Sequence, residues 1–251
     1  GRGVQFDFDF IDHRLIGTVT DGSRGAFDLQ PMSVADFYAR FIALTGELGV
    51  MTEISGRPNE IPDAIPFKTD TIHASYDADA VARFWLALVQ ADRVLKCFRT
   101  GFLGKVSPVH FFWGSFDLAV TRFSGRRAPL HPGGVPGLPD PVTREAYSHE
   151  VSSAGFWPGG GPVDYPAFYS YAYPAPDSFS AHAVTPDEAF FHEAAGEFIL
   201  PYSAVRRAPD PDRLLLGFLD STYEAAASLA NWDRASLECP RGRIVAPRPL
   251  A

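Results

Sequence analysis

The sequence has few of the features that mark secreted, membrane-embedded or nucleic-acid-binding proteins. Only two cysteines, Cys97 and Cys239, occur among 251 residues, and they do not have the spacing of a zinc site. We therefore expect two unpaired thiols in a reducing compartment and a cytoplasmic location. No apolar run approaches the roughly 20 residues of a membrane-spanning helix, so we expect no membrane partner.

Basic charge is also scarce, with 22 Lys and Arg against 30 Asp and Glu and a net charge of -8. Nucleic-acid binding requires a basic surface, so we exclude nucleic acid as a partner. The first residues, Gly1 to Val4, lack a signal-peptide pattern and an initiator methionine, and a strand pattern follows at once. We therefore expect the natural protein to begin further upstream.

The chain is rich in aromatic and turn-forming residues, with 21 Phe, 22 Gly and 22 Pro. This composition favours many strands and turns around an aromatic core. Phe6, Phe8 and Phe10 alternate with acidic residues, which predicts a half-buried strand. The patterns predict further strands at 15–20, 26–29, 110–123, 146–154, 167–173 and 197–200, and helices at 34–49, 77–98, 186–195 and 210–232.

This order of elements predicts an α+β fold, with an antiparallel β-sheet and helices packed on one side. We expect a β-rich unit at 1–72 closed by helix 34–49, and a larger β-rich unit at 73–239 with helices 77–98 and 210–232. The order of strand, proline and helix occurs in both units, which is consistent with a duplicated unit. A Pro- and Arg-rich arm at 240–251, or the N-terminal strands, could join two copies into a homo-oligomer.

Two aromatic-rich stretches combine titratable groups with tryptophan and phenylalanine. One runs from Ser107 to Asp117 and contains His110, and the other runs from Tyr147 to Pro158 and contains His149. The long run from Phe98 to Arg126 resembles DUF5996, a bacterial family known only as a domain of unknown function. The runs at 147–160, 73–77 and 8–14 fit the same family, so the resemblance spans nearly the whole chain. It implies a further N-terminal segment, but no activity, cofactor or site residue.

Strand alternation separates each aromatic stretch into two faces. On a regular strand over 110–123, His110 faces away from Asp117, and Asp117 shares a mixed aromatic and polar face with Trp113 and Ser115. If the strand of 147–153 pairs with this one, His149 could meet Asp117 and act as a general acid or base. The expected site residues are His149, Asp117 and Glu150 for catalysis, and Trp113, Ser115, Tyr147, Trp157, Arg122 and Lys105 for ligand binding, with Arg122 or Lys105 holding an anionic substrate.

Three functional interpretations follow from these residues. The first is a small-molecule enzyme or ligand-binding protein with an aromatic-lined pocket and a histidine–carboxylate pair, whose substrate and cofactor are unknown. The second is a non-catalytic binding or assembly module, in which the aromatic residues form a core or a subunit interface. The third is a metal-dependent enzyme, for which the available ligands are His73, His110, His149 and Glu150, although no short ligand spacing supports it.

Overall fold

The computed structural model describes residues 1–51, 53–59, 61, 63–135, 138–161 and 163–242. The chain divides into two compact units, Gly1–Ala87 and Leu88–Ala251. The boundary falls within helix α2 (Ala78–Arg99), which is further along the chain than the boundary at 72 that the sequence suggested. Most of the predicted arm at 240–251 lies outside the described residues, so it stays a prediction.

The first unit is a three-stranded antiparallel sheet with one helix on its inner face. The strands β1 (Val4–Asp9), β2 (Arg14–Val19) and β3 (Arg24–Asp28) pair in that order. Helix α1 (Val34–Glu47) begins at Ser33, whose hydroxyl accepts the amide hydrogen of Asp36. Gly17 and Gly25 leave room for this helix, because a Cβ atom there would lie 2.6 and 2.5 Å from Leu48 and Leu44. The period-two and helical patterns of this segment were therefore interpreted correctly.

The second unit contains a six-stranded antiparallel sheet. Its strands follow the order β4-β5-β6-β7-β9-β8, and their bounds are β4 (His110–Phe112), β5 (Asp117–Arg127), β6 (His149–Trp157), β7 (Ala167–Tyr173), β8 (Phe190–His192) and β9 (Glu197–Pro201). The helices of this unit are α3 (Asp140–Ala146), α4 (Tyr202–Arg207), α5 (Pro211–Leu229) and α6 (Arg234–Leu237). The predicted α+β class is confirmed.

One face of the six-stranded sheet carries the hydrophobic core of this unit. Cross-strand partners point to the same face, which joins Leu118 of β5 to Phe156 and through it to Phe168 and Leu200. These residues are buried, and α5 packs on the central strands β6 and β7. Among the residues that the structure describes, no helix is both long and apolar enough to cross a bilayer. The opposite face of the sheet is polar and is described below.

Two predicted elements of this unit are wrong. The expected strand over 110–123 is a hairpin, in which β4 and β5 are joined by a turn at 113–116. The expected helix over 186–195 contains the short strand β8 instead, although its Ala- and Glu-rich sequence favours a helix. No helix was predicted for the segment that forms α3, which begins among several prolines at Asp140.

The same kind of hairpin occurs at both edges of the sheet. Phe112 pairs with Asp117 across the first turn, and His192 pairs with Glu197 across the second. The last turn residue has a positive φ in each case, 62° at Phe116 and 72° at Gly196, and its amide donates to the carbonyl of Phe112 or His192. Each hairpin therefore begins its inner strand with an acidic residue that faces the polar side of the sheet.

Candidate functional site

The Asp117 carboxylate is the best-defined polar group on the face opposite α5. Its side chain is buried, with the residue only 7% exposed. The Ser115 hydroxyl donates to Oδ1 at 2.5 Å, and the Tyr169 hydroxyl donates to Oδ2. Each carboxylate oxygen retains a lone pair for a further donor. The turn at 113–116 supplies Ser115, so the hairpin geometry itself places the first of these donors.

Tyr169 reaches Asp117 by crossing the strand that separates them. Gly155 of β6 is the direct cross-strand partner of both Tyr169 and Ala119. A Cβ atom at position 155 would lie 2.5 Å from the Tyr169 hydroxyl and 2.4 Å from the Leu118 carbonyl oxygen. Glycine is therefore required here, because any larger residue would occupy the path of the phenol ring.

A second group of hydroxyls lies one cross-strand row further along the sheet. The Tyr147 and Tyr171 hydroxyls are 2.9 Å apart, and those of Thr121 and Ser153 are also 2.9 Å apart. The rings of Tyr169 and Tyr171 stack with centroids 6.2 Å apart, which connects the two groups. Burial raises the pKa of both tyrosines well above the usual value, with the charge of Asp117 adding to the effect on Tyr169. Both phenols are therefore neutral hydrogen-bond donors at physiological pH.

Glu197 is a carboxyl group on this face whose pKa is strongly raised. It begins β9 and is the cross-strand partner of His192. Burial raises the pKa of Glu197 to about 7, and the nearby charge of Asp117 contributes to the increase. No donor in the described part of the chain hydrogen-bonds its carboxylate. A carboxyl group with a pKa near neutrality can both accept and donate a proton in the physiological range.

Helix α3 places two further polar groups in this unit. Its C-cap residue is Tyr147, whose ring stacks on His131 with centroids 4.9 Å apart. Thr143, one helical turn before Tyr147, has no exposed surface, and its hydroxyl has no partner among the described residues. A fully buried hydroxyl without a partner is costly, so Thr143 is an energetically unfavourable position in α3.

These groups form one continuous arrangement on the polar face of the second unit, which we call the polar layer. Its members are Ser115, Asp117, Thr121, Tyr147, Ser153, Tyr169, Tyr171 and Glu197. The layer combines an acceptor with fixed donors, neutral phenols and a carboxyl group that titrates near neutrality. Such a set can bind a molecule that carries hydrogen-bond donors and can transfer a proton to or from it.

Four of the residues expected from the sequence are together in or beside this layer. Asp117, Ser115 and Tyr147 are members, and the Trp157 indole donates to the Ser115 carbonyl oxygen at 3.2 Å. Trp157 also packs on Val163, Ala167 and Ile199 at the same end of the sheet. Trp113, by contrast, is 67% exposed in the turn, where its ring edge contacts Phe111. Trp113 is therefore outside the layer.

The expected pair of His149 and Asp117 does not form. The two strands do pair, but His149 lies opposite Arg127 at the far end of β5, whereas Asp117 begins that strand. The His149 ring is 3.1 Å from the Ser148 hydroxyl instead. The expected separation of His110 from Asp117 is also wrong, because the turn brings His110 opposite Ala119, on the same face as Asp117.

Glu150 has a structural role in this arrangement. Its Oε2 atom accepts hydrogen bonds from the Ser124 hydroxyl at 2.8 Å and from Arg126 Nη2 at 2.7 Å. Arg126 also donates to the carbonyl oxygens of Ala230 and Asn231, just beyond α5. Glu150 thus fixes the end of β5 to the end of that helix, away from Asp117.

The two cations expected to hold a substrate are not beside Asp117 either. Arg122 faces the opposite side of the sheet, because it pairs with Ser152 and alternates with Thr121. Its guanidinium lies 3.5 Å from the centroid of the Phe98 ring. Lys105 lies over the Phe123 ring at 4.7 Å, further along β5 than the Asp117 end. The polar layer therefore lacks the cation that an anionic substrate would require.

The residues considered as metal ligands do not combine into a site. His110 and His149 lie opposite the two ends of β5, and Glu150 is engaged by Arg126. His73 belongs to the first unit, where its Nδ1 atom is 2.8 Å from Asp70 Oδ2. Across the described ranges, no three His, Cys, Asp or Glu side chains are grouped as a metal site.

The sequence did not identify Tyr169, Tyr171 or Glu197 as functional residues. Alternating tyrosines at 169, 171 and 173 on one strand were the available signal, because they place three hydroxyls on one face. The acidic residue that follows each hairpin turn was a second signal. Neither pattern identifies a site by itself, because the site also depends on the strand order that places β7 next to β6 and β9 next to β7.

The fold and the site together describe an α+β protein with a polar sheet face. A family model described as a family of unknown function (DUF5996) matches residues 1–239. The chain belongs to this family. No curated protein and no solved structure matches the chain.

Proposed function

We propose that the protein binds a small polar molecule on the polar layer and that Glu197 exchanges a proton with it. The single observation that carries this proposal is the combination of Asp117, held by two fixed donors, with Glu197, whose pKa is raised to about 7 by burial. Buried carboxyl groups with different environments on one surface are typical of sites that perform acid–base chemistry. Tyr147 keeps the ligand-binding role expected from the sequence, Asp117 binds the ligand instead of orienting a catalytic histidine, and Glu197 replaces His149 as the acid or base.

The charge of the layer defines the class of ligand. Asp117 accepts hydrogen bonds, and no Lys or Arg belongs to the layer. A ligand with hydroxyl or amino groups would satisfy the free lone pairs of Asp117, whereas an anion would be repelled by it. We therefore expect an amine or a polyhydroxylated compound. This replaces the anionic substrate expected from Arg122 and Lys105.

A ligand screen by thermal shift tests the proposal on the full chain. The screen compares small amines and polyols with carboxylates and phosphates at equal ionic strength. A ligand at 100 times its Kd should stabilise the protein by about 2.7 kcal/mol, which is readily measured as an increase in melting temperature. This stabilisation should be lost in Asp117→Asn and reduced at least ten-fold in affinity in Tyr169→Phe.

Tyr173→Phe is the matched control for the tyrosine variant. Tyr173 is on the same strand and face, but its hydroxyl donates to the Pro129 carbonyl oxygen, outside the layer. A ligand whose effect survives Asp117→Asn and Tyr169→Phe binds elsewhere and would contradict the proposal. Glu197→Gln separates binding from chemistry, because it should retain binding of a true substrate and abolish its conversion.

A second candidate function is a binding or assembly module, which one observation favours. Phe112, Trp113 and Phe116 at the β4–β5 turn are 43%, 67% and 45% exposed, and Trp113 and Phe116 both pack against Phe111. Exposed aromatic patches of this kind often mark protein-binding surfaces. Light scattering of the wild type and of Trp113→Ser tests self-association: a dimer that becomes monomeric in the variant would support an assembly role, and identical monomers would exclude self-association through this turn.

A further inference from the structure

The side of the six-stranded sheet that faces α5 contains a buried arginine whose hydrogen bonding is incomplete. Arg122 is 3% exposed, and its Nη2 atom donates to the Phe98 carbonyl oxygen at 2.5 Å. Its Nε–H group is buried and has no partner in the described part of the chain. Burial lowers the pKa of Arg122 to about 10, so the guanidinium remains charged at neutral pH.

Aromatic rings surround this guanidinium on the helix side. Its carbon atom lies 3.5, 4.3 and 5.2 Å from the ring centroids of Phe98, Tyr223 and Phe102. The rings interact favourably with the cation, but they do not accept its Nε–H in the plane of the guanidinium. A buried charge that lacks an anionic partner is unfavourable by itself. The Arg122 guanidinium would therefore be stabilised by an anion that is not part of the sheet.

A polar cleft of ≈ 210 Å³ opens beside Arg122. Its other lining residues include Asp220, Tyr223, Glu238, Cys239 and Arg241. Asp220 is paired with Arg241, and Glu238 and Glu224, which both line the cleft, are paired with Arg234 at 2.6 and 3.5 Å. Within the described residues, no carboxylate lies within ion-pair distance of Arg122. The acidic residues of the cleft are therefore already committed to other cations.

Tyr223 supplies a second donor to this cleft. Its hydroxyl is buried and makes no hydrogen bond to a described residue. Burial raises the pKa of Tyr223, and the Glu238 carboxylate, which lies near the hydroxyl without forming a well-aligned hydrogen bond, adds to this effect. The phenol therefore stays protonated, and the Arg122 Nε–H and the Tyr223 O–H are two buried donors without a well-formed hydrogen bond to a described residue.

We propose that this cleft is a binding site for a small monoanion of carboxylate size, distinct from the polar layer on the other side of the sheet. Two oxygen atoms on one carbon would accept from Arg122 Nε and from the Tyr223 hydroxyl while neutralising the guanidinium. At ≈ 210 Å³ the cleft is smaller than the sites that hold drug-sized molecules, which suits a ligand of a few heavy atoms. The carboxylates of Asp220 and Glu238 disfavour a dianion such as phosphate.

Alkylation of Cys239 measures occupancy of the cleft. Cys239 lines the cleft, whereas Cys97 is a half-buried thiol of α2 that does not line it and serves as an internal control. The full chain is treated with iodoacetamide in sodium acetate, sodium phosphate or sodium chloride at one pH and ionic strength. Mass spectrometry then gives the rate at each cysteine. Acetate should slow the reaction of Cys239 several-fold relative to Cys97, with saturation, and phosphate should have a smaller effect.

Tyr223→Phe tests whether the protection depends on the proposed donors. The variant removes one hydroxyl that makes no hydrogen bond, so the protein should fold, and the acetate concentration for half-protection should rise about ten-fold. Arg126→Lys, a change of an arginine outside the cleft, should leave that concentration unchanged. Equal alkylation rates in acetate and chloride would overturn the proposal, as would protection that Tyr223→Phe does not weaken. Stronger protection by phosphate would refute the preference for a monoanion.

Discussion

Glu197 should make the protein less stable as the pH rises towards neutrality. Its carboxyl pKa is about 7 in the folded protein, compared with the ordinary value of 4.5. Between these pH values the folded state holds a proton that the unfolded state has released, so the free energy of unfolding falls as pH rises. The loss begins near pH 4.5 and is complete above about pH 7. At about 1.4 kcal/mol per pH unit, the total is about 3 kcal/mol.

Glu197→Gln isolates this contribution, because glutamine resembles the protonated acid but cannot ionise. Urea unfolding from pH 5 to 8.5 should give similar free energies for the variant and the wild type at the acidic end. At pH 8 the variant should be more stable by about 3 kcal/mol. Glu193→Gln, in the exposed turn of the same hairpin, should follow the wild type at every pH. Parallel pH profiles for Glu197→Gln and the wild type would refute the assignment of a raised pKa to Glu197.

Three further substitutions test the geometry of the sheet. Gly155→Ala should reduce the free energy of unfolding by about 2 kcal/mol or more, measured by urea unfolding, because its Cβ would lie 2.4 Å from the Leu118 carbonyl oxygen. Gly196→Ala should cost about 1 kcal/mol in the same assay, since its φ is 72°, and a cost near zero would refute the hairpin assignment. His149→Ala should leave binding of a polar-layer ligand unchanged in calorimetry, as His149 lies at the far end of β5 from Asp117. A large loss of affinity would instead support the expected contact between His149 and Asp117.

Local patterns predicted most strands and the long helices because each pattern repeats over several residues. The alternating Phe6, Phe8 and Phe10 and the apolar spacing of 210–232 gave elements close to those in the structure. The hairpin at 110–123 was missed because Phe116 adopts a positive φ, a conformation that the sequence signals clearly only when glycine is present. The equivalent glycine at 196 did end the segment that was misread as a helix.

The candidate site could be predicted only in part, for a reason of topology. Ser115, Asp117 and Tyr147 were recognised because they lie in the aromatic-rich stretches. Tyr169 and Glu197 come from β7 and β9, and no local pattern shows that these strands follow β6 in the sheet. The pair of His149 and Asp117 fails for the same reason as the strand over 110–123. The hairpin makes Asp117 the first residue of β5, and the start of one antiparallel strand lies opposite the end of its neighbour.

Strand alternation also explains why the expected site was too large. Asp117 and Arg122 are five positions apart on β5, an odd number, so a regular strand directs them to opposite faces. Asp117 and Thr121 face the polar layer, whereas Arg122 faces the aromatic rings on the helix side. A single ligand therefore cannot bridge the carboxylate and the guanidinium. The residues that the sequence assigned to one site belong instead to two chemically different environments, one around the Asp117 carboxylate and one around the Arg122 guanidinium.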